Sequence, residues 1–105
     1  MASDADQDFA DKMQMLRDKY IVRLVDTRVA LETAMARLSE GSATGDERAD
    51  IEAWAHKLAG TGTSYGFPAI SEIAAALEDA VCDGRSAEEV AVLTGKLVAA
   101  ITDIS

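Results

Sequence analysis

Hydrophobic residues recur along this chain at spacings of three and four, which is the period of one face of an α-helix. No segment alternates between apolar and polar residues, so the pattern predicts helices and no strands. Five such sets of apolar residues, called stripes below, follow one another along the chain. The second stripe is interrupted only at Arg28, whose aliphatic carbons can lie along the core while its charged end stays in water. The stripes are Phe9, Met13, Leu16 and Tyr20; Leu24, Leu31, Met35 and Leu38; Ile51, Trp54, Ala55, Leu58, Gly62 and Tyr65; Ile70, Ile73, Ala74, Leu77 and Val81; and Val90, Leu93, Leu97, Ile101 and Ile104.

Glycine, proline and capping residues predict where these helices begin and end. No glycine or proline interrupts residues 6–40, so the first two stripes belong either to two helices or to one long, bent helix. Residues 41–45 read as a loop, followed by Asp46 as the N-cap of the next helix. Gly66 is predicted to end that helix, and Pro68 fits the first turn of the one after it.

The remaining boundaries complete a simple helical architecture. Asp83 and Gly84 are predicted to end the fourth-stripe helix, and Ser86 to Glu89 has the pattern of a capping box at the start of the last one. Short loops between amphipathic helices favour an all-α fold, an antiparallel four-helix bundle with an additional N-terminal helix or helical extension. We expect one domain over residues 1–105, with residues 1–6 disordered or fraying.

Composition and charge narrow the class of protein. The 105 residues carry a formal net charge of −9, which argues against nucleic acid and anionic membranes as partners. No apolar run approaches the roughly 20 residues that span a bilayer, and the N-terminus does not resemble a secretory signal. The lone Cys82 excludes an intramolecular disulfide and is expected to be a core or boundary residue rather than a reactive thiol. We therefore expect a soluble, acidic, cytoplasmic domain. We also expect a monomer, although the sequence does not say whether its surface dimerises.

The single histidine, His56, is the main candidate for chemistry, because an imidazole with an ordinary pKa of about 6.5 is nucleophilic near neutral pH. Helical phase places it roughly 150° from the buried stripe, facing solvent. Its surface neighbours are Glu52, Ala53, Ala59 and Gly60, most of which carry little or no side chain. A partner could therefore approach the imidazole closely, although a solvated histidine without a function is the open alternative.

Two glycines lie in this predicted helix, although each costs about 1 kcal/mol relative to alanine. Gly62 falls on the buried side, where we expect it to allow packing against the alanines at positions 74–76. Gly60 falls on the histidine side, where no internal packing explains it. We therefore interpret Gly60 as leaving space for a partner to approach His56.

The run from His56 through Lys57, Leu58 and Ala59 to Gly60, followed by Gly66-Phe67, resembles the phosphorylation motif of histidine phosphotransfer (Hpt) domains. That motif reads His-x-Leu-Lys-Gly, then about five residues, then Gly and an apolar residue. Residues 62–67 also resemble the phosphorylated domain of chemotaxis histidine kinases. A further helix containing residues 76–78 follows at the family's distance, and the chain's length and helix count suit a whole domain.

The resemblance implies a phosphocarrier in a two-component phosphorelay rather than an autonomous kinase. His56 would accept a phosphoryl group on Nε2 from a receiver-domain aspartate or a kinase and pass it to another receiver. Its partners would be response-regulator receiver domains and a hybrid histidine kinase. Mg²⁺ would belong to the receiver, with no cofactor or metal in this chain. Glu78 would hold the proton on Nδ1 of His56, the alternative being an ordinary solvated glutamate.

Ala59 departs from the family's pattern, which has lysine three residues after the histidine. That lysine offsets the phosphoryl charge of about −2. Lys57 is the supporting candidate in its place, but it points roughly 100° around the helix from His56 and could substitute only by reaching. The phosphohistidine is then either less well compensated or compensated by the receiver. Two other classes stay open: a helical partner-binding module that is not phosphorylated, and an excised kinase domain phosphorylated without a receiver.

Overall fold

The computed structural model describes residues 4–41 and 45–105, with side chains described from residue 6 onward. Over these ranges the chain forms four α-helices and one short 3₁₀ turn, with no strand, which confirms the predicted all-α fold. The helices are α1 (Asp4–Glu40), α2 (Asp46–Thr61), α3 (Pro68–Cys82) and α4 (Ala87–Ile104), and the 3₁₀ turn is Thr63–Tyr65. Of the predicted loop at 41–45, residues 42–44 lie outside the described residues.

The helices form a bundle in which each packs against the next along the chain and α4 closes the ring against α1. Its core consists of the aliphatic residues of the predicted stripes, because each helix turns one apolar face inward. Burial of these side chains supplies the main driving force for folding. The largest fully buried apolar side chains are Leu24, Leu31, Ile51, Ile70, Leu77, Val90, Leu97 and Ile101.

α1 is one continuous helix of 37 residues, which settles whether the first two stripes belong to one helix or two. At 1.5 Å per residue it is about 55 Å long, close to the longest dimension of the molecule, 58 Å. Its residues 6–19 are all exposed and form the predicted helical extension, whereas Tyr20 is buried. Residues 1–3 of the segment expected to be disordered or to fray lie outside the described residues, and α1 begins at Asp4.

The boundaries of α2 differ from the prediction. Gly45 is the N-cap, in a left-handed conformation with φ 103°, and Asp46 is the first residue inside the helix rather than its cap. At the other end, α2 stops at Thr61, earlier than predicted, and the chain continues through the 3₁₀ turn Thr63–Tyr65. Gly66, with φ 89°, ends this turn and donates its N–H to the carbonyl of Thr63 at 3.0 Å.

The boundaries of α3 and α4 largely agree with the prediction. Pro68 is the first residue of α3, where its missing N–H costs nothing. Ser86 caps α4 by accepting a hydrogen bond from the backbone N–H of Glu89 at 3.1 Å. In a full capping box the Glu89 side chain would also accept a hydrogen bond from the backbone N–H of Ser86. Here the Glu89 carboxylate pairs with Arg85 instead, at 3.4 Å.

Candidate functional site

His56 lies in the third turn of α2 on the side that faces away from the core. Its side chain is 78% exposed, because Ile51, Ala55 and Leu58 occupy the inward positions of the same helix. The phase of the apolar stripe thus gave the right direction for the imidazole. An approaching molecule can reach the ring without any rearrangement of the bundle.

Glu78 approaches the imidazole from α3. Its Oε2 lies 2.5 Å from Nδ1 of His56, and its side chain is 25% exposed. Because Leu77 is fully buried, its neighbour Glu78 emerges at the edge of the α2–α3 contact. A carboxylate only accepts hydrogen bonds, so in the neutral imidazole the proton sits on Nδ1 and the lone pair on Nε2. The atom left open to solvent is then the nucleophilic one.

The surface beside His56 is bare, as the small residues in the sequence predict. A Cβ added at Gly60 would meet no heavy atom within 4 Å, so no internal contact requires glycine there. Ala59, at the position of the family's lysine, is partly buried and packs against the core. The helix face around the imidazole therefore carries no bulky side chain on its C-terminal side.

Gly62 is buried, and its closest contacts are with Ser71 and Phe67 rather than with the expected alanines 74–76. A Cβ at this position would lie 2.7 Å from the Oγ of Ser71 and 3.0 Å from the carbonyl oxygen of Phe67. Ser71 Oγ also accepts a hydrogen bond from the backbone N–H of Thr63 at 2.7 Å. Because the chain turns into α3 within a few residues, Gly62 lies closest to the first turn of α3.

Lys57 lies on the opposite side of α2 from Glu78. It lines a small groove between α1 and α2 together with Arg23, Thr27 and Thr61. The structure thus brings Glu78 to His56 but places Lys57 toward α1.

Three aromatic residues that the sequence pattern did not single out, Tyr20, Tyr65 and Phe67, pack together at the end of α2. The ring of Tyr20 stacks on that of Tyr65, with centroids 4.2 Å apart, and lies 6.1 Å from that of Phe67. The Tyr20 hydroxyl hydrogen-bonds Thr61 Oγ1 at 2.9 Å, and burial raises the pKa of Tyr20. The signal was present, since Tyr20 continues the first apolar stripe. Tyr65, expected in the core, is only partly buried.

Cys82 is exposed, so the expectation that it is a core or boundary residue is wrong. Its thiol donates a hydrogen bond to Oε1 of Glu52 at 3.3 Å. This hydrogen bond, with the negative charges of Glu52, Glu78 and Asp79, raises the pKa of the Cys82 thiol. Because the thiolate is the reactive form, the environment makes this cysteine a poor nucleophile.

Across residues 4–41 and 45–105, no group of three or more histidine, cysteine or acidic residues is placed to hold a metal ion. None of the helices in that part of the chain is long and apolar enough to cross a membrane.

Comparison with known proteins identifies the family. The family model of the Hpt domain matches residues 7–105, and the chain therefore belongs to the Hpt domain family. Members of this family are helical bundles that act in histidine phosphotransfer as phosphocarriers, in phosphorelays with receiver domains and kinases. Searches of curated proteins and of solved structures gave no match.

Proposed function

We propose that this protein is a phosphocarrier that accepts a phosphoryl group on Nε2 of His56 and passes it to a second receiver domain. The donor is the aspartyl phosphate of a receiver, for instance in a hybrid histidine kinase. The observation that carries the proposal is the exposed imidazole whose Nδ1 is bound by Glu78. This arrangement presents Nε2, with its lone pair, to an incoming partner.

The transfer step uses only groups that this site and a receiver supply. The Nε2–P bond forms as the bond between phosphorus and the aspartyl oxygen breaks, and the aspartate leaves as a free carboxylate. The imidazole gains positive charge in this step while keeping its Nδ1 proton. The Glu78 carboxylate stabilises that charge through the existing hydrogen bond. In transfer to a second receiver, the Nε2–P bond breaks as a bond forms between phosphorus and the aspartyl oxygen of that receiver.

The receiver is proposed to supply the remaining electrostatic stabilisation, including Mg²⁺ and a lysine. Ala59 stands where the family has lysine, and Lys57 is directed toward α1. The phosphoryl charge on His56 is therefore compensated mainly within the complex rather than by this chain. Gly60 supports this assignment, because the open surface beside the imidazole leaves room for loops of the receiver.

Incubation with phosphorylated receivers from the source organism tests the proposal. We expect transfer of label to this protein as acid-labile, base-stable phosphate, and loss of that label in His56→Gln. Label that persists in the variant would refute His56 as the acceptor. Absence of transfer from every receiver would favour a partner-binding module. Labelling by an ATP-dependent kinase domain without a receiver would favour an excised kinase domain.

The cellular setting follows from the same proposal. Receivers are charged with phosphate that originates from ATP, and the lone Cys82 fits a reducing compartment. We propose that the protein acts in the cytoplasm as a monomer, which fractionation and sedimentation would test.

A further inference from the structure

The exposed face of α2 separates charges of opposite sign on its two sides. On the side toward α3, the His56 imidazole is flanked by the carboxylates of Glu52 and Glu78. On the side toward α1, Lys57 lines a groove with Arg23. Gly60 and Ala53 lie between the two sides and carry almost no side chain, so a partner that covers His56 contacts both.

The groove toward α1 continues along the exposed part of that helix. Two adjoining recesses share Arg23 and Tyr65, and none of the residues that line either recess is acidic. Asp26, one turn further along α1 from Arg23, does not line them. We call this surface the basic groove; it comprises Leu16, Lys19, Val22, Arg23, Lys57 and Tyr65.

Apolar side chains accompany the cations in the basic groove. Val22 is 64% exposed and Leu16 is 45% exposed, although both are side chains that a folded protein usually covers at least in part. Arg23 is held over the ring of Tyr20, with its guanidinium carbon 5.9 Å from the ring centroid. The groove thus combines positive charge with uncovered apolar surface. Exposed apolar surface that is rimmed by polar residues marks protein contact areas.

The positive charge of this groove matters because the chain as a whole carries a net charge of −9. A receiver presents a phosphorylated aspartate at its site, so its approach to an acidic protein is opposed by electrostatic repulsion. Local clusters of opposite charge overcome such repulsion and steer association. The basic groove is placed to do this directly beside His56.

We infer that the basic groove is a second contact area for the receiver and takes an acidic, partly apolar segment that borders the receiver's phosphorylated aspartate. This inference rests on the proposed function. The carboxylates of Glu52 and Glu78 on the other side repel the same segment. The separated charges therefore fix the orientation of the receiver over His56 and select receivers whose acidic segment lies on the matching side.

A pair of charge reversals tests this inference. The double variant Lys19→Glu with Arg23→Glu inverts the charge of the groove and leaves His56 and Glu78 unchanged. Both replaced side chains are exposed and do not fill the core. The matched control is Arg85→Glu with Lys96→Glu, two exposed residues outside the groove, because it changes the net charge by the same amount. Thermal unfolding of both variants checks that each is folded.

We expect the groove variant to slow transfer from a phosphorylated receiver by about 10-fold or more at low salt, an effect that added salt reduces. The control should change the rate by less than about 2-fold, since charge steering depends on position. Labelling of His56 by phosphoramidate, which needs no docking surface, should be unchanged in both. Equal transfer rates in the two variants, or an equal loss of phosphoramidate labelling, would overturn the inference. Failure of all receivers to label the wild type would instead overturn the proposed function.

Discussion

The Nδ1 atom of His56 lies 2.5 Å from Oε2 of Glu78, although 22 positions separate the two residues along the chain. One residue is on α2 and the other on α3, so only the packing of these two helices brings them together. The contact sets the tautomer of the imidazole and leaves Nε2 open. It also places a negative charge where the imidazole would become positive in the proposed transfer.

Replacement of Glu78 by glutamine keeps the size of the side chain and removes its charge. We expect transfer from a phosphorylated receiver to slow by about 10-fold, because a hydrogen bond to a charged group contributes about 1.5–3 kcal/mol and part of this is lost to solvent screening here. The rate is measured by quenching the transfer reaction at several times and quantifying the label by autoradiography. Asp79→Asn, which removes the adjacent exposed carboxylate, is the control. Equal rates for the Glu78 variant and wild type would show that Glu78 is an ordinary surface glutamate.

The Gly60→Ala variant separates stability from docking. The new Cβ meets no heavy atom within 4 Å, so the higher helix propensity of alanine should stabilise the fold by about 1 kcal/mol. Transfer from a receiver should nevertheless slow, because the methyl group occupies clearance beside His56. Urea unfolding and the transfer assay measure the two effects.

Gly95→Ala in α4 is the matched control for Gly60. Its Cβ would make an ordinary contact with the Met35 sulfur at 3.5 Å, so it should stabilise the fold to a similar extent while leaving transfer unchanged. Slower transfer in both variants would trace the effect to helix rigidity and not to the surface at position 60.

Local periodicity explains which features the sequence could predict. The second to fifth stripes predicted most of the core, whereas Phe9, Met13 and Leu16 of the first stripe are exposed. The phase of the α2 stripe placed His56 outward and Lys57 on a different side of the helix. The contact with Glu78 was expected only from resemblance to a family, because helical phase carries no information about which residues of two helices meet. The basic groove was not anticipated for the same reason, since Lys19 and Arg23 lie on α1 and Lys57 on α2.

Gly62 shows what periodicity leaves open. Helical phase correctly put it on the buried side, but phase does not tell which part of the next helix lies there. The closest contacts of Gly62 are with Phe67 and Ser71, at the start of α3, rather than with the alanines at 74–76. Sequence patterns specify the inward face of an element better than the point at which the chain leaves it.

Gly62→Ala should destabilise the protein. A Cβ there would lie 2.7 Å from Ser71 Oγ and 2.9 Å from the backbone nitrogen of Ser71, and a shift of backbone cannot be avoided. Overpacking of this kind costs about 1–3 kcal/mol, seen as a lower urea midpoint. Gly60→Ala, two residues earlier, serves as the control with the opposite expected sign. An unchanged midpoint for Gly62→Ala would mean that the α2–α3 junction is looser than the contact distances imply.

Tyr20 gives the fold a dependence on alkaline pH. Burial raises the pKa of this phenol above its ordinary value of 10.0, so the folded state disfavours the phenolate. Its contribution to stability is fully present below pH 10 and is lost as the pH rises through the raised pKa of the folded state. Tyr20→Phe removes the titrating group and, with it, the hydrogen bond to Thr61, which costs about 1 kcal/mol near neutral pH. Urea unfolding at pH 8 and at pH 11 should therefore show wild type more stable than the variant at pH 8, with the difference narrowing or reversing at pH 11. A constant difference at the two pH values would indicate that the Tyr20 hydroxyl reaches solvent in the folded protein.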